Sequence, residues 1–146
     1  MRFEGEFSSK KPLNEVKQFL LDASQFTKCL PGIQSYESTN DTFKAYFKLD
    51  VSQMKIPYMT TLSANINAKI CGNENEIRIS GNGRSAGVGI KFSIIMRLES
   101  AKDKTIVNWL AELDLGMLAK LIGNDVIRNI INNNINYIMN CMSEKL

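Results

Sequence analysis

The sequence predicts an α+β fold in which a seven-stranded antiparallel sheet clasps one long C-terminal helix. Three observations carry this. Seven stretches alternate apolar and polar residues at period two, most of them joined by short polar turns, as in a sheet with one wet and one buried face. Two short helical patterns separate the first stretch from the second. The segment from Asp125 to Met142, placed at 100° per residue, has an apolar sector of about 220°, far wider than the stripe of a helix lying on a flat surface.

The elements follow in order. Phe3, Gly5 and Phe7 alternate with Arg2, Glu4, Glu6 and Ser8 in strand one. Pro12 opens a helix with Leu13, Val16, Phe19 and Leu20 at helical spacing, since proline's missing N–H has no partner in a first turn anyway. A second helix covers Ala23 to Leu30, stopped by Pro31-Gly32. Strand two runs from Ile33 to Ser38, with Asn40-Asp41 as the turn. Strand three turns Phe43, Ala45, Phe47, Leu49 and Val51 inward, and strand four Tyr58, Leu62, Ala64, Ile66, Ala68 and Ile70. Strand five gives Ile77, Ile79, Gly81 and Gly83, and strand six Ile90, Phe92, Ile94, Met96 and Leu98. Strand seven gives Val107, Trp109, Ala111, Leu113 and Leu115. In the last helix Val126, Ile127, Ile130, Ile131, Ile135, Tyr137, Ile138, Met139 and Met142 form the apolar sector, with Asn129, Asn132, Asn133, Asn136 and Asn140 opposite. Met117–Ile122 is apolar in a different phase, which predicts a restart near Gly123-Asn124. Asparagine is a poor helix former, so tertiary burial must hold this helix.

Composition narrows the function. The 146 residues suffice for one domain with a real core, and 44% hydrophobic with 23% charged residues is an ordinary soluble balance. A net charge of +3 is too small and scattered for a nucleic-acid footprint. There is no histidine, which removes the commonest general base, the Ser-His and Cys-His nucleophile pairs and histidine zinc sites. Cys29, Cys71 and Cys141 are odd in number and far apart, which argues against a disulfide framework or metal cluster and fits a reducing cytoplasm. The opening residues lack a leader's apolar run, and no stretch is apolar for long enough to span a bilayer. A soluble cytoplasmic protein without cofactor or metal, and not an enzyme, is the expectation.

Several stretches, in order along nearly the whole chain, resemble the carbon monoxide dehydrogenase CoxG family of the START/Bet v 1-like (SRPBCC) superfamily. They are Phe3-Glu4-Gly5-Glu6-Phe7 with Pro12 and Val16, and Cys29-Leu30-Pro31-Gly32-Ile33. Further on come Gly81-Asn82-Gly83-Arg84-Ser85-Ala86-Gly87, and Thr105-Ile106-Val107-Asn108-Trp109 leading to Gly116-Met117-Leu118-Ala119. The resemblance implies a single helix-grip domain over residues 1–146, a curved sheet wrapped around the terminal helix and an internal apolar cavity. It also implies an association with molybdenum-containing carbon monoxide dehydrogenases and related hydroxylases, in maturation, membrane recruitment or handling of a lipophilic partner. Longer members carry a hydrophobic tail; here Leu146 follows the helix directly, and no built-in anchor is expected. Fold alone does not fix function.

Small residues at inward positions (Gly5, Ala45, Ala64, Ala68, Gly81, Gly83 and Ala111) either admit close helix–sheet approach or leave room for a guest. If they leave room, the expected lining is Phe47, Leu49, Tyr58, Leu62, Ile66, Gly81, Phe92, Ile94, Met96, Trp109, Leu113, Ile131, Asn134 and Ile138. Asn134 stands out because it falls inside the apolar sector, where it is either a polar handle for a ligand or a residue at a partly wet edge. The glycine-rich run at 81–89 is read as a hairpin and not a phosphate cradle, because a strand and not a helix follows it; Arg84 is a candidate gate. Glu112 and Asp114 read as a solvated face. Met54-Lys55-Ile56-Pro57 with Met59, and Met117-Leu118, are apolar segments in expected loops, suited to a cavity rim, a docking patch or local packing. The expected function is binding of a hydrophobic or amphipathic small molecule in an internal cavity, and the resemblance implies that it serves as an accessory protein of a carbon monoxide dehydrogenase or molybdenum hydroxylase system. The alternative is an assembly or recruitment factor for that enzyme with no ligand of its own, and a cyclase-like enzyme ranks below both.

Overall fold

The computed structural model describes residues 1–146. The chain runs β1 (Arg2–Ser9), α1 (Leu13–Leu21), α2 (Ala23–Lys28), β2 (Ile33–Thr39), β3 (Thr42–Asp50), β4 (Thr61–Gly72), β5 (Glu76–Ser85), β6 (Val88–Ala101), β7 (Lys104–Asp114), α3 (Leu118–Ile122) and α4 (Asn124–Lys145). All seven strands form one antiparallel sheet in the order β1-β7-β6-β5-β4-β3-β2. β1 and β2 therefore lie at opposite edges. The segment between them must cross the sheet, and α1 and α2 make that crossing. α1 packs on β4 to β7, and α2 on β2 and β3.

Local chemistry sets the boundaries. Pro12 precedes α1, which buries Val16 and Leu20. Asp22 caps α2 by accepting a hydrogen bond from the Ser24 amide at 3.0 Å. Ala86 and Gly87, both at positive φ, form the two-residue β5–β6 hairpin loop that matches strand twist. Arg84 donates to Gly87 O across that loop at 2.8 Å from an exposed position, and does not gate the interior. Gly123, at φ 104°, separates α3 from α4 at the predicted restart.

α4 buries Ile127, Ile130, Ile135, Ile138, Met139 and Met142. At about 100° per residue these cover roughly half the helix, less than the sector read from sequence. Val126 and Tyr137 are the reason: both sit at the sector's edge, Val126 only half-buried and Tyr137 56% exposed. The hydrophobic interior divides in two. A large cluster includes Phe43, Ile79, Met96, Val107, Trp109 and Met142, and a smaller one includes Val51, Ile56, Leu62, Leu115, Leu118 and Ile127.

Two expectations are corrected here. Cys29 and Cys141 form a disulfide, with Cα atoms 5.6 Å apart across 112 residues of sequence. α2 ends against α4, and that proximity leaves no trace in the spacing of cysteines along the chain. With this pair oxidised, cysteine usage no longer points to a reducing cytoplasm; Cys71 is free and exposed. Tyr58 is not in β4. After Pro57 it adopts φ 62° in the β3–β4 loop and is fully exposed, and the strand begins at Thr61. No helix is long and apolar enough to cross a membrane.

Candidate functional site: an apolar cavity between sheet and helix

Where the two hydrophobic clusters meet, the side chains leave a cavity of about 140 Å³, lined by 21 residues of which 18 are hydrophobic. The sheet supplies Phe47 and Leu49 from β3, Leu62, Ala64 and Ile66 from β4, Ile90, Phe92 and Ile94 from β6, and Ala111 and Leu113 from β7. Ile127, Ile131, Asn134, Ile135 and Ile138 of α4 form the opposite wall, and Phe26, Leu30 and Pro31 close one side. The space is comparable to the roughly 150 Å³ apolar cavities that stay dry and accept benzene.

Ten expected residues line this space: Phe47, Leu49, Leu62, Ile66, Phe92, Ile94, Leu113, Ile131, Asn134 and Ile138. Four do not. Tyr58 is in the exposed loop. Met96 and Trp109 pair with one another in neighbouring strands nearer the other end of the sheet, and both are buried in the large cluster. Gly81 is covered by its neighbours: an added Cβ would stand 2.8 Å from the Phe92 ring and 2.9 Å from the Ala68 methyl.

The small inward residues thus divide. At Gly5 the missing side chain is replaced by the Trp109 indole, which an added Cβ would approach within 2.5 Å. Ala64 and Ala111, by contrast, face the open space. Sequence reasoning placed both inward without assigning them to the lining. It missed Phe26, Leu30 and Pro31 altogether, because helices between strands read as connections. Their signal was present in the leucine-proline stop, which fixes where the second helix turns back to the sheet.

Only two polar side chains face the cavity. The Asn134 amide donates to Ile130 O one turn back at 2.6 Å, and the Ser85 hydroxyl donates to Ser63 O at 2.7 Å. Each retains acceptor capacity. No titratable group lines the space, so a charged guest would be buried without a counter-charge, at high cost.

At the Leu62–Leu118 end, the β3–β4 loop packs Val51, Ile56 and Met59 against α3. The loop is anchored at Asp50, whose carboxyl the Ser52 side chain and amide hold below the usual carboxylate range. Met54, Tyr58, Met117 and Leu121 project outward from these two segments, 41% to 109% exposed.

Among solved structures, the chain is similar to a conserved protein from Geobacillus kaustophilus, with TM-score 0.79 and 17% identity over 99% of this chain and 94% of that one. It is similar also to a START superfamily protein from Mycobacterium smegmatis, with TM-score 0.68 and 7% identity over 99% and 95%. The Zhui aromatase/cyclase from Streptomyces sp. R1128 matches with TM-score 0.66 and 11% identity over 99% and 92%. At these identities the likeness speaks to the fold, a START-like helix-grip. Among curated proteins none matches. The sequence pattern of the carbon monoxide dehydrogenase CoxG family matches residues 5–146, so sheet, cavity and closing helix all fall within it, and the chain belongs to that family.

Proposed function

We propose that the chain binds a neutral, mainly hydrocarbon small molecule in the cavity, as an accessory protein of a carbon monoxide dehydrogenase or related molybdenum hydroxylase. The observation that carries the reading is the apolar space between sheet and helix with no titratable lining group. Removing hydrocarbon from water supplies affinity at about 25 cal/mol per Å². The free acceptor capacity of Asn134 and Ser85 suits a guest with one hydroxyl or amide N–H. Family membership supports the enzyme partner. An aromatase/cyclase among the similar structures raises a catalytic reading, but acid–base steps would find no proton donor or acceptor of suitable pKa in this lining.

A second reading, a recruitment factor without a ligand of its own, draws on the exposed Met54, Tyr58, Met117 and Leu121, since adaptable apolar side chains clustered at one end suit a protein partner. Native mass spectrometry of the protein isolated from its own host separates the two. A co-purifying neutral lipophile is the expected result. Ligand-free protein in complex with a dehydrogenase would replace the first reading with the second.

A further inference from the structure

We infer that the Cys29–Cys141 disulfide is a redox latch on the cavity, holding one wall closed when oxidised and releasing it when reduced. The inference rests on the cavity being a binding site and concerns its regulation. Cys29 follows α2 directly; Phe26 stands three residues before it, and Leu30 and Pro31 come immediately after. All three line the cavity. On the other side, Cys141 lies three and seven residues beyond Ile138 and Asn134, which places it on the same helix face as two residues of the opposite wall. The disulfide therefore ties together the two elements between which this side of the cavity is closed.

The rest of α2 packs chiefly against β2 and β3, so the sulfur bridge is the covalent tie across the α2–α4 seam. Beyond Pro31 the wall is fixed again, because the Lys48 amide donates to Gly32 O at 3.0 Å. Any displacement on opening is thus concentrated in the stretch from Phe26 to Pro31. Reduction removes that covalent tie and leaves this part of the seam held by side-chain packing alone.

The reaction is thiol–disulfide exchange with a dithiol. One thiolate of the dithiol attacks Sγ of Cys141, which is half-buried whereas Cys29 is fully buried. The Cys29 sulfur leaves as a thiolate and takes up a proton. The dithiol's second thiolate then breaks the mixed disulfide and releases Cys141, which is protonated in turn. Two electrons pass from the dithiol, which ends as a disulfide, to the cysteine pair.

Toluene is a suitable probe, with its dissociation rate read from NMR exchange on oxidised protein, on protein reduced with dithiothreitol, and on Cys141→Ser. The reduced and Cys141→Ser forms are expected to release toluene at least tenfold faster than the oxidised form, and Cys71→Ser to respond as the parent does. Equal rates in the oxidised and reduced forms would overturn the latch and leave the cavity reading standing. Toluene binding to no form would remove the cavity reading and the latch with it. A reduced chain that loses its near-ultraviolet circular dichroism would also overturn the latch, making the pair a structural staple.

Discussion

Replacing Ala64 with leucine is expected to lower toluene affinity at least thirtyfold, about 2 kcal/mol, while leaving the melting temperature unchanged or slightly raised. Ala64 sits in β4 between Phe47 and Ser85 in the sheet register, and all three line the cavity. The added isobutyl group would project into about 140 Å³ of unfilled space and remove a large share of it. The stability readout separates this account from a tightly packed interior, where inserting methylenes typically costs about 1–3 kcal/mol. Titration calorimetry together with thermal melts reads both quantities. A leucine that destabilises the fold by that amount would mean that no usable space exists at Ala64.

Loss of the Cys29–Cys141 bridge, whose Cys29 end lies in the large core cluster, is expected to be strongly destabilising. The bridge spans 112 residues, and a loop of that length corresponds to about 4–5 kcal/mol of denatured-state entropy in the chain-entropy account. For a chain of this size that is a fall in melting temperature of roughly 10–15 °C. Differential scanning calorimetry with and without dithiothreitol measures it, and Cys71→Ser should be neutral because Cys71 is free and exposed. An unchanged melting temperature would contradict the expected stabilisation, and thiol titration of the denatured protein would show whether the two sulfurs are bonded.

Much of the architecture was legible because its signals are local. Period-two alternation gave the inward faces of six strands, β2 being read only as a span and burying no face, and the phase change at Gly123 gave the break before α4. The wheel placed Asn134 among isoleucines, and that is where it faces the cavity. What was not legible depends on which distant residues meet. Phe26, Leu30 and Pro31 reach the cavity only because β1 and β2 lie at opposite sheet edges and the connection must cross between them. The disulfide follows from the same crossing. Trp109 and Met96 share the inward face with true lining residues, but their position along the strands puts them in the packed half, where the Trp109 indole fills the space that Gly5 leaves. Alternation gives the face of a strand and not the depth along it. Tyr58 was lost to the turn after Pro57, where parity with Leu62 and Ala64 suggested a strand that the backbone does not continue.

Diffraction from crystals held under xenon pressure puts the interior to the plainest trial. Xenon is neutral, apolar and small, and the account predicts an anomalous peak enclosed by Ala64, Phe92, Ile131 and Asn134. Peaks elsewhere in the crystal with none at that position would contradict the claim that the helix-grip of this chain encloses a space able to receive a guest.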